Sequence, residues 1–567
     1  MSHDLCELGV IGLTTIGQSL AAHHASNKTR VCVADDDPTF VPQVIDEYKT
    51  QIEAGEEDSD PLPRASRCML PSDTMEELVA RLSSPRKIII FGTHANDQKF
   101  EAIWNKLCPV LESGDMILRW GKEEDSDNSV QFYNDSIVRN LSKTQGQIRE
   151  IHLVEMVRME RDRTVVFEGE TPEVFLVGGP HEAYVQLESY ISPCATIVHA
   201  GNDAACAHYA HMIQRVIENG VTQAIAEGSD ILSKAARHEQ QDIGRIMNNW
   251  NAGGGKLASY LLRITAKIYY KRDNMTKNGF VIDHIVDSVD LSAVDTWVTL
   301  EATKLGIPAP TINATLESRF LSVMKDERVE ASRILKVPES ADTPSVMKDQ
   351  ISEDVESAIY CACVCLVSEC LAIFQAASRV ESWDANIADC IKVWNQPGSF
   401  LESNLLEKIY SSLVNNEDEL KNLMIVPDIA SELQELHMSW RRIVTLSFAS
   451  AIPCPTMSSS LTYYDTYRSR RLPTSLIRAQ CDFFDASGYN RLGQEGWYST
   501  CWITEHTKEK KMKEGEVETE GEGEETPKKG KETPKKKRKS NSIDKSMAID
   551  ESEAFDESMA YDNCEAI

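Results

Sequence analysis

A chain of 567 residues with 41% hydrophobic content is long enough for two or three packed domains, each with its own core. Its formal net charge of −30 repels polyanions, which argues against nonspecific nucleic-acid binding by the folded body. The opening MSHDLCELGVIGL has neither a basic region nor a long apolar stretch ending in a cleavage site, and no stretch of about 18 uninterrupted apolar residues follows, so neither secretion nor membrane spanning is expected.

The first segment, LGVIGLTTIGQSLAAHH, reads as a strand, a tight turn and an amphipathic helix, with a second strand in RVCVADDD. RKIIIFG and GDMILRW are further buried strands between helical patterns, the arrangement of a parallel sheet. The expected fold class is therefore α/β: a Rossmann-type doubly wound domain over 1–200. From Ala204 to Asp485 long helical patterns dominate, for example HMIQRVIENGVTQAIAEGSDILSKAA, and predict a large all-α domain over 201–485. Cys361, Cys363 and Cys365 lie in one of these patterns without zinc spacing and read as core thiols. After His506 the chain is almost free of apolar residues, and 507–567 is expected to be a disordered tail.

Gly12, Thr14 and Gly17 stand in a Gly-x-Thr-x-x-Gly turn between strand and helix, where backbone N–H groups and the helix dipole favour a pyrophosphate. Thr14 replaces a small residue and predicts some crowding. About 20 residues on, Asp35 begins an Asp35-Asp36-Asp37 run whose carboxylates can accept from a ribose 2′-OH and would repel a 2′-phosphate. NAD is thus the expected dinucleotide if one binds. The alternative is an empty Rossmann domain with a solvated acidic turn.

The blocks WNAGGGKLASYLLRIT, LSVMKDERVEAS, SWRR, AIPCPTMSSSLTYYDTYR and LPTSLIRAQCDFFDASGY resemble the decarboxylating 6-phosphogluconate dehydrogenases, and the likeness runs from Glu7 to His506. The resemblance implies a homodimer whose C-terminal packing segment is 486–506 here, with Thr500 and Trp502 matching the family's segment. It also implies NADP, oxidation of a sugar-acid hydroxyl and decarboxylation, with a lysine base and a glutamate acid seven residues apart on one helix face. In this chain those positions hold His211 and Glu218.

Other family positions are altered. The pair facing substrate becomes Gln214 and Arg215, the phosphate-contacting tyrosine becomes Asn219, and a substrate asparagine becomes Lys122, preceded by Arg119 and Trp120. The serine and glycines that hold the sugar carboxylate fall near Arg158, Met159 and Glu160. The phosphate lysine and threonine fall at Ser292 and Val294, and the partner subunit's arginine and histidine ligands at Cys481 and Ser487. Arg319 retains the phosphate arginine. Asp36 stands where the family's NADP-pairing arginine belongs, which disfavours NADP.

Scaffold positions such as Trp250, Asn251, Trp440, Pro473 and Gln480 match while ligands do not. The expectation is a catalytically inactive or strongly altered homologue acting as a dimeric scaffold or regulator. The alternative is an active NAD(P)-dependent dehydrogenase of phosphogluconate or a related hydroxy acid, of the pentose phosphate pathway type, with His211 or Lys122 as base. A metal site among His199, Cys206, His208 and His211 is not expected. Pro534 to Lys539, PKKKRK, has the form read by nuclear import receptors, giving a cytoplasmic protein with a nuclear pool. Thr526 and Thr533, each before Pro-Lys-Lys, resemble sites for proline-directed kinases.

Overall fold

The computed structural model describes residues 5–35, 37, 39–53, 68–93, 98–121, 151–159, 173–336, 345–415, 421–503 and 510–511. Lys122, Asp36 and Pro534 to Lys539 lie outside them, so the expectations resting on these residues meet no geometry. The chain forms two units, one running to Tyr467 and a second beginning at Arg468.

The first unit opens with β1 (Leu8–Ile11), β2 (Val31–Ala34), β3 (Met69–Pro71), β4 (Lys87–Thr93), β5 (Met116–Gly121), β6 (His152–Arg158), β7 (Glu173–Gly178) and β8 (Ala195–Gly201). They form one sheet in the order β3-β2-β1-β4-β5-β6-β7-β8. β1 to β6 are parallel, as the buried runs predict, and helices cover the sheet. The sheet is mixed, however: β7 runs antiparallel to β6 and β8 runs parallel to β7. β1 and β2 are buried at every position, which explains their unbroken apolar character.

β8 leads through Asp203 into the Ala204–Lys234 helix; the Asp203 carboxylate accepts from Ala205 N–H at 2.8 Å and caps its first turn. This helix packs along the Ser345–Glu381 helix, and two glycines permit the close approach. A Cβ on Gly220 would lie 2.3 Å from Leu366 Cδ2, and one on Gly228 would lie 2.6 Å from Ile359 Cδ1. Cys361, Cys363 and Cys365 are core residues of the second helix, as expected. By length and composition that helix could cross a membrane, although Ser368 and Glu369 interrupt its apolar run; in the fold its apolar window is 89% buried.

Each long helix buries a glutamate that caps a helix from elsewhere in the chain. Glu227 accepts from the N–H groups of Thr456 and Met457 at 2.9 and 3.0 Å, at the start of the Pro455–Tyr467 helix. Glu369 accepts from Thr311 N–H, Ile312 N–H and the Thr311 hydroxyl, at the start of the Pro310–Val323 helix. Both capped helices begin in Ile-Pro-x-Pro-Thr, at Ile307 and Ile452. Proline suits the first helical position, and the carboxylate satisfies orphan amides that burial would otherwise strand.

In the second unit the Thr474–Asp485 helix is followed by β9 (Tyr489–Arg491) and β10 (Gln494–Ser499). Asp482 ties them together, accepting from Gly488 N–H, Thr500 N–H and Trp502 Nε1–H at 2.8, 3.0 and 2.8 Å. β11 (Lys510–Lys511) pairs antiparallel with β10, inside the stretch expected to be disordered. The expectation is corrected at those two residues; the remainder of the tail lies outside the described ones.

Candidate active site

At the C-terminal end of β1 the chain turns at Gly12, whose φ is +84° and whose Cβ, if it had one, would lie 2.4 Å from Phe91 O. A Cβ on Gly17 would meet Gly12 O at 2.5 Å, so both fingerprint glycines are required by the packing of strand against helix. Thr14 is the N-cap of the Thr15–Ser26 helix: its hydroxyl accepts from Gly17 N–H at 3.3 Å, which gives this residue a structural role at its position. Asp35 reaches across from the end of β2 and accepts from Leu13 N–H at 2.7 Å. Thr15 and Ile16, in the first turn of this helix, are exposed residues, and first-turn N–H groups have no partner within their own helix.

The second half of the site is on the Ala204–Lys234 helix. His211 is buried, with 1% of its surface exposed. Burial, reinforced by Arg215 and His208, holds its imidazole down at about 3, so it is neutral at physiological pH. One turn earlier, His208 lies 3.9 Å from the Glu155 carboxylate, which accepts from Arg119 Nε at 2.7 Å. Arg119 and Glu155 face each other in register on β5 and β6, each 1% exposed. Arg119 thus belongs to a buried ion pair beneath the helix, with its guanidinium 4.9 Å from the Phe100 ring centroid. Trp120 packs between Phe91 and Phe175, 5.0 Å from each centroid.

Glu218 is 4% exposed, and its carboxylate is gripped on both oxygens. Gln214 Nε2 donates to one at 3.0 Å, and Arg215 to the other at 2.5 Å. Asn219 and Arg319, which the resemblance assigns to phosphate-contacting positions, meet over Asp295. Asn219 Nδ2 donates to Asp295 Oδ1 at 2.8 Å, Arg319 donates to Asp295 Oδ2 at 3.2 Å, and Arg319 also donates to Asn219 Oδ1 at 2.8 Å. Asp295 Oδ2 further accepts from the N–H and hydroxyl of Ser292, at 3.0 and 3.1 Å, in a capping box at the start of the Ala293–Leu305 helix. β6 ends at Arg158, which pairs with Glu173 at 2.5 Å, and just beyond it the buried Met159 donates its N–H to Val174 O at 3.0 Å. Arg158 and Met159, near which the resemblance expects the carboxylate-holding serine and glycines, are thus strand end and buried packing, and Glu160 lies outside the described residues.

The structure brings Glu218, Asn219 and Arg319 together on neighbouring elements. It places His211 inside the helix packing. Asp295 is the residue that sequence reasoning misses. Its Ser-x-x-Asp box is readable, but its second task, neutralising an arginine 24 residues away, is not. Among the described residues no three metal-ligating side chains converge.

Residues 207–502 match the family model described as 6-phosphogluconate dehydrogenase, C-terminal domain. The chain is 29% identical over 508 residues to 6-phosphogluconate dehydrogenase, decarboxylating 1, of Spinacia oleracea, covering 88% of this chain and 97% of that one. It is 33% identical over 336 residues to the corresponding enzyme of Oryza sativa subsp. japonica, covering 58% of this chain and 68% of that one. Among solved structures it is similar to Plasmodium falciparum 6-phosphogluconate dehydrogenase, which was determined in its apo form, with NADP+ and with 6-phosphogluconate. The TM-score is 0.67 at 26% identity, over 88% of this chain and 100% of that one.

Proposed function

The chain belongs to the 6-phosphogluconate dehydrogenase family, and from that premise we propose that it is a catalytically silent member, a dimeric scaffold or regulator that retains a nicotinamide dinucleotide site. The observation that carries this reading is the mutual pairing of the substrate-side groups. Arg319 is neutralised by Asp295 and held by Asn219, and Glu218 is held by Gln214 and Arg215. A phosphorylated sugar acid needs charge-assisted contacts from such groups, and here it would have to displace internal carboxylates to obtain them.

The Gly12 turn and the capped helix behind it fit a pyrophosphate, and Asp35 stands at the end of β2 where a ribose hydroxyl would lie. A dinucleotide bound there would supply hydride chemistry; this chain's own residues would bind and orient it. The acidic run favours NAD over NADP. Calorimetric titration tests the reading: NADH binding without 6-phosphogluconate binding supports it, and tight 6-phosphogluconate binding contradicts it.

The dimer is supported by side chains left in water. Ile285, Val286, Leu300, Leu321, Ile334 and Leu335 are each more than half exposed, as expected of a surface awaiting a partner. Light scattering at twice the mass of one chain is the expected result. A nuclear pool rests on PKKKRK alone; import of a reporter carrying 506–567 should fall when Lys535 to Lys539 are made neutral, and unchanged import overturns it.

The second reading, an active dehydrogenase, is favoured by the presence of Glu218 and of Arg319, which bonds Glu218's neighbour Asn219.

A further inference from the structure

A second cleft lies on the opposite edge of the sheet from the dinucleotide turn. β8 runs antiparallel to β1, so its C-terminal end and the Gly12 turn face opposite ways. There, an open cleft lies between the His181–Ile191 helix, β8 and the Ile387–Trp394 helix, its space of about 1560 Å³ continuous with solvent. The walls are fastened to one another. Asn202 N–H donates to Trp383 O at 2.7 Å and Asn386 N–H to Ala200 O at 2.8 Å, which bolts the 382–386 segment onto the end of β8. On either side of the buried Trp383, Ser382 and Asp384 hold φ values of +58° and +50°. Residues with a side chain keep that conformation only where their surroundings impose it, so Asp384 is presented in a single fixed loop shape.

One wall is aromatic. The His181 and His199 rings have centroids 5.1 Å apart, Tyr184 and His199 5.0 Å, and His181 and Tyr184 6.0 Å. The other wall carries Asp384 and Asp389. Burial pushes the Tyr184 phenol up to about 12, with Glu188 and Asp389 adding to it. Burial lowers the His199 imidazole while Asp384 acts in the opposite sense. Each carboxylate is therefore within electrostatic reach of a ring across the cleft. Their hydrogen bonds come from neutral amides, Asn202 Nδ2 to Asp384 at 3.5 Å and Asn386 Nδ2 to Asp389 at 2.6 Å. Neither makes an ion pair among the described residues. Lys392, which lines the same cleft, sits instead with its Nζ 6.0 Å from the Tyr410 ring centroid.

Aromatic faces attract cations, and carboxylates without counter-ions add to the attraction. A neutral ligand would leave both carboxylates unused and an anion would be repelled. The cleft is too open to enclose most of a small molecule, as a dedicated ligand pocket does, but it can take a side chain carried on a peptide. The net charge of −30 also steers basic partners toward this chain. We propose that this cleft binds the lysine or arginine side chain of a basic peptide segment in a partner protein, with the cationic head between Asp384 and Asp389 and the stem along His181, Tyr184 and His199. This interaction is independent of the dinucleotide and substrate site.

The test uses the full-length protein and fluorescein-labelled Gly-Ser peptides with a central Lys-Lys, Arg-Arg or Glu-Glu pair, read by anisotropy at physiological salt. The two cationic peptides bind and the anionic one does not. Asp384→Asn combined with Asp389→Asn weakens binding about tenfold, and Tyr184→Leu about threefold. Asparagine tolerates positive φ, so Asp384→Asn leaves the loop in place, and an unchanged melting curve verifies it. A control with the same charge change at the exposed Asp349 and Asp428 leaves binding within about twofold. Equal weakening by the control, no effect of the cleft variant, equal binding of the Glu-Glu peptide, or no binding of either cationic peptide overturns the proposal.

Discussion

Replacing Asp295 with alanine tests the idea that the phosphate position is closed from within. The carboxylate is 5% exposed and accepts four bonds: two from Ser292, one from Asn219 and one from Arg319. Loss of the capping box costs about 1 kcal/mol. Stranding a buried arginine costs about 3–5 kcal/mol in the fully buried case. Arg319 is 15% exposed and keeps its bond to Asn219, which reduces that cost to about 2 kcal/mol. The sum, about 3 kcal/mol, lowers the melting temperature by roughly 6 °C. The variant also gains a property. Arg319, freed of its carboxylate, offers a cation to inorganic phosphate, and phosphate at about ten times its Kd should restore about 1.4 kcal/mol. Differential scanning fluorimetry with and without phosphate reads both effects. A variant as stable as the parent, or a parent that responds to phosphate as strongly as the variant, would refute the reasoning.

Three further outcomes follow from the same geometry. His211 is held neutral to about 3 against an ordinary 6.5, so the unfolded chain binds the extra proton and stability falls as pH drops from 6.5 toward 3; His211→Gln should remove about 1.4 kcal/mol per pH unit of that slope in urea titrations run between those limits. Gly12→Ala forces a Cβ onto Phe91 O at a φ of +84°, which costs roughly 2–4 kcal/mol and abolishes the stabilisation by NADH in a thermal scan. Glu227→Ala uncaps the Pro455–Tyr467 helix by removing two bonds to buried amides; the unfolding free energy should drop by about 3 kcal/mol, with Glu227→Gln, which keeps one acceptor oxygen, losing about half as much.

Much of the fold was legible because its signals are local. The βαβ opening announces itself through an apolar strand, a glycine turn and a helix within about 20 residues, and the structure follows it. β6 was harder to read. Glu155 interrupts its apolar run, and the partner that makes a buried glutamate tolerable, Arg119, lies 36 residues earlier. The antiparallel pairing of β7 with β6 is not legible for a related reason: strand direction depends on which neighbours pair, and both strands have the same buried pattern. The paired helix starts at Ile307 and Ile452 were in plain view as Ile-Pro-x-Pro-Thr, but their capping glutamates are 58 and 229 residues distant.

The site divides in the same way. Gly12, Thr14 and Gly17 act within one turn, so their spacing carries their role. Asn219, Asp295 and Arg319 meet across 76 and 100 residues, and only the fold reveals that the retained arginine is already engaged. His211 was readable as a replacement for the family's lysine; that it is buried, one turn from a His208 that faces the Arg119–Glu155 pair, only the fold shows.

Turnover tests most directly whether the chain is catalytically silent. Purified full-length protein incubated with 6-phosphogluconate and either NAD or NADP, followed by absorbance of the reduced nicotinamide, should show no product beyond the no-enzyme control. Robust formation of NADH or NADPH would show that Glu218 and Arg319 are released from their internal partners and still serve the family's reaction.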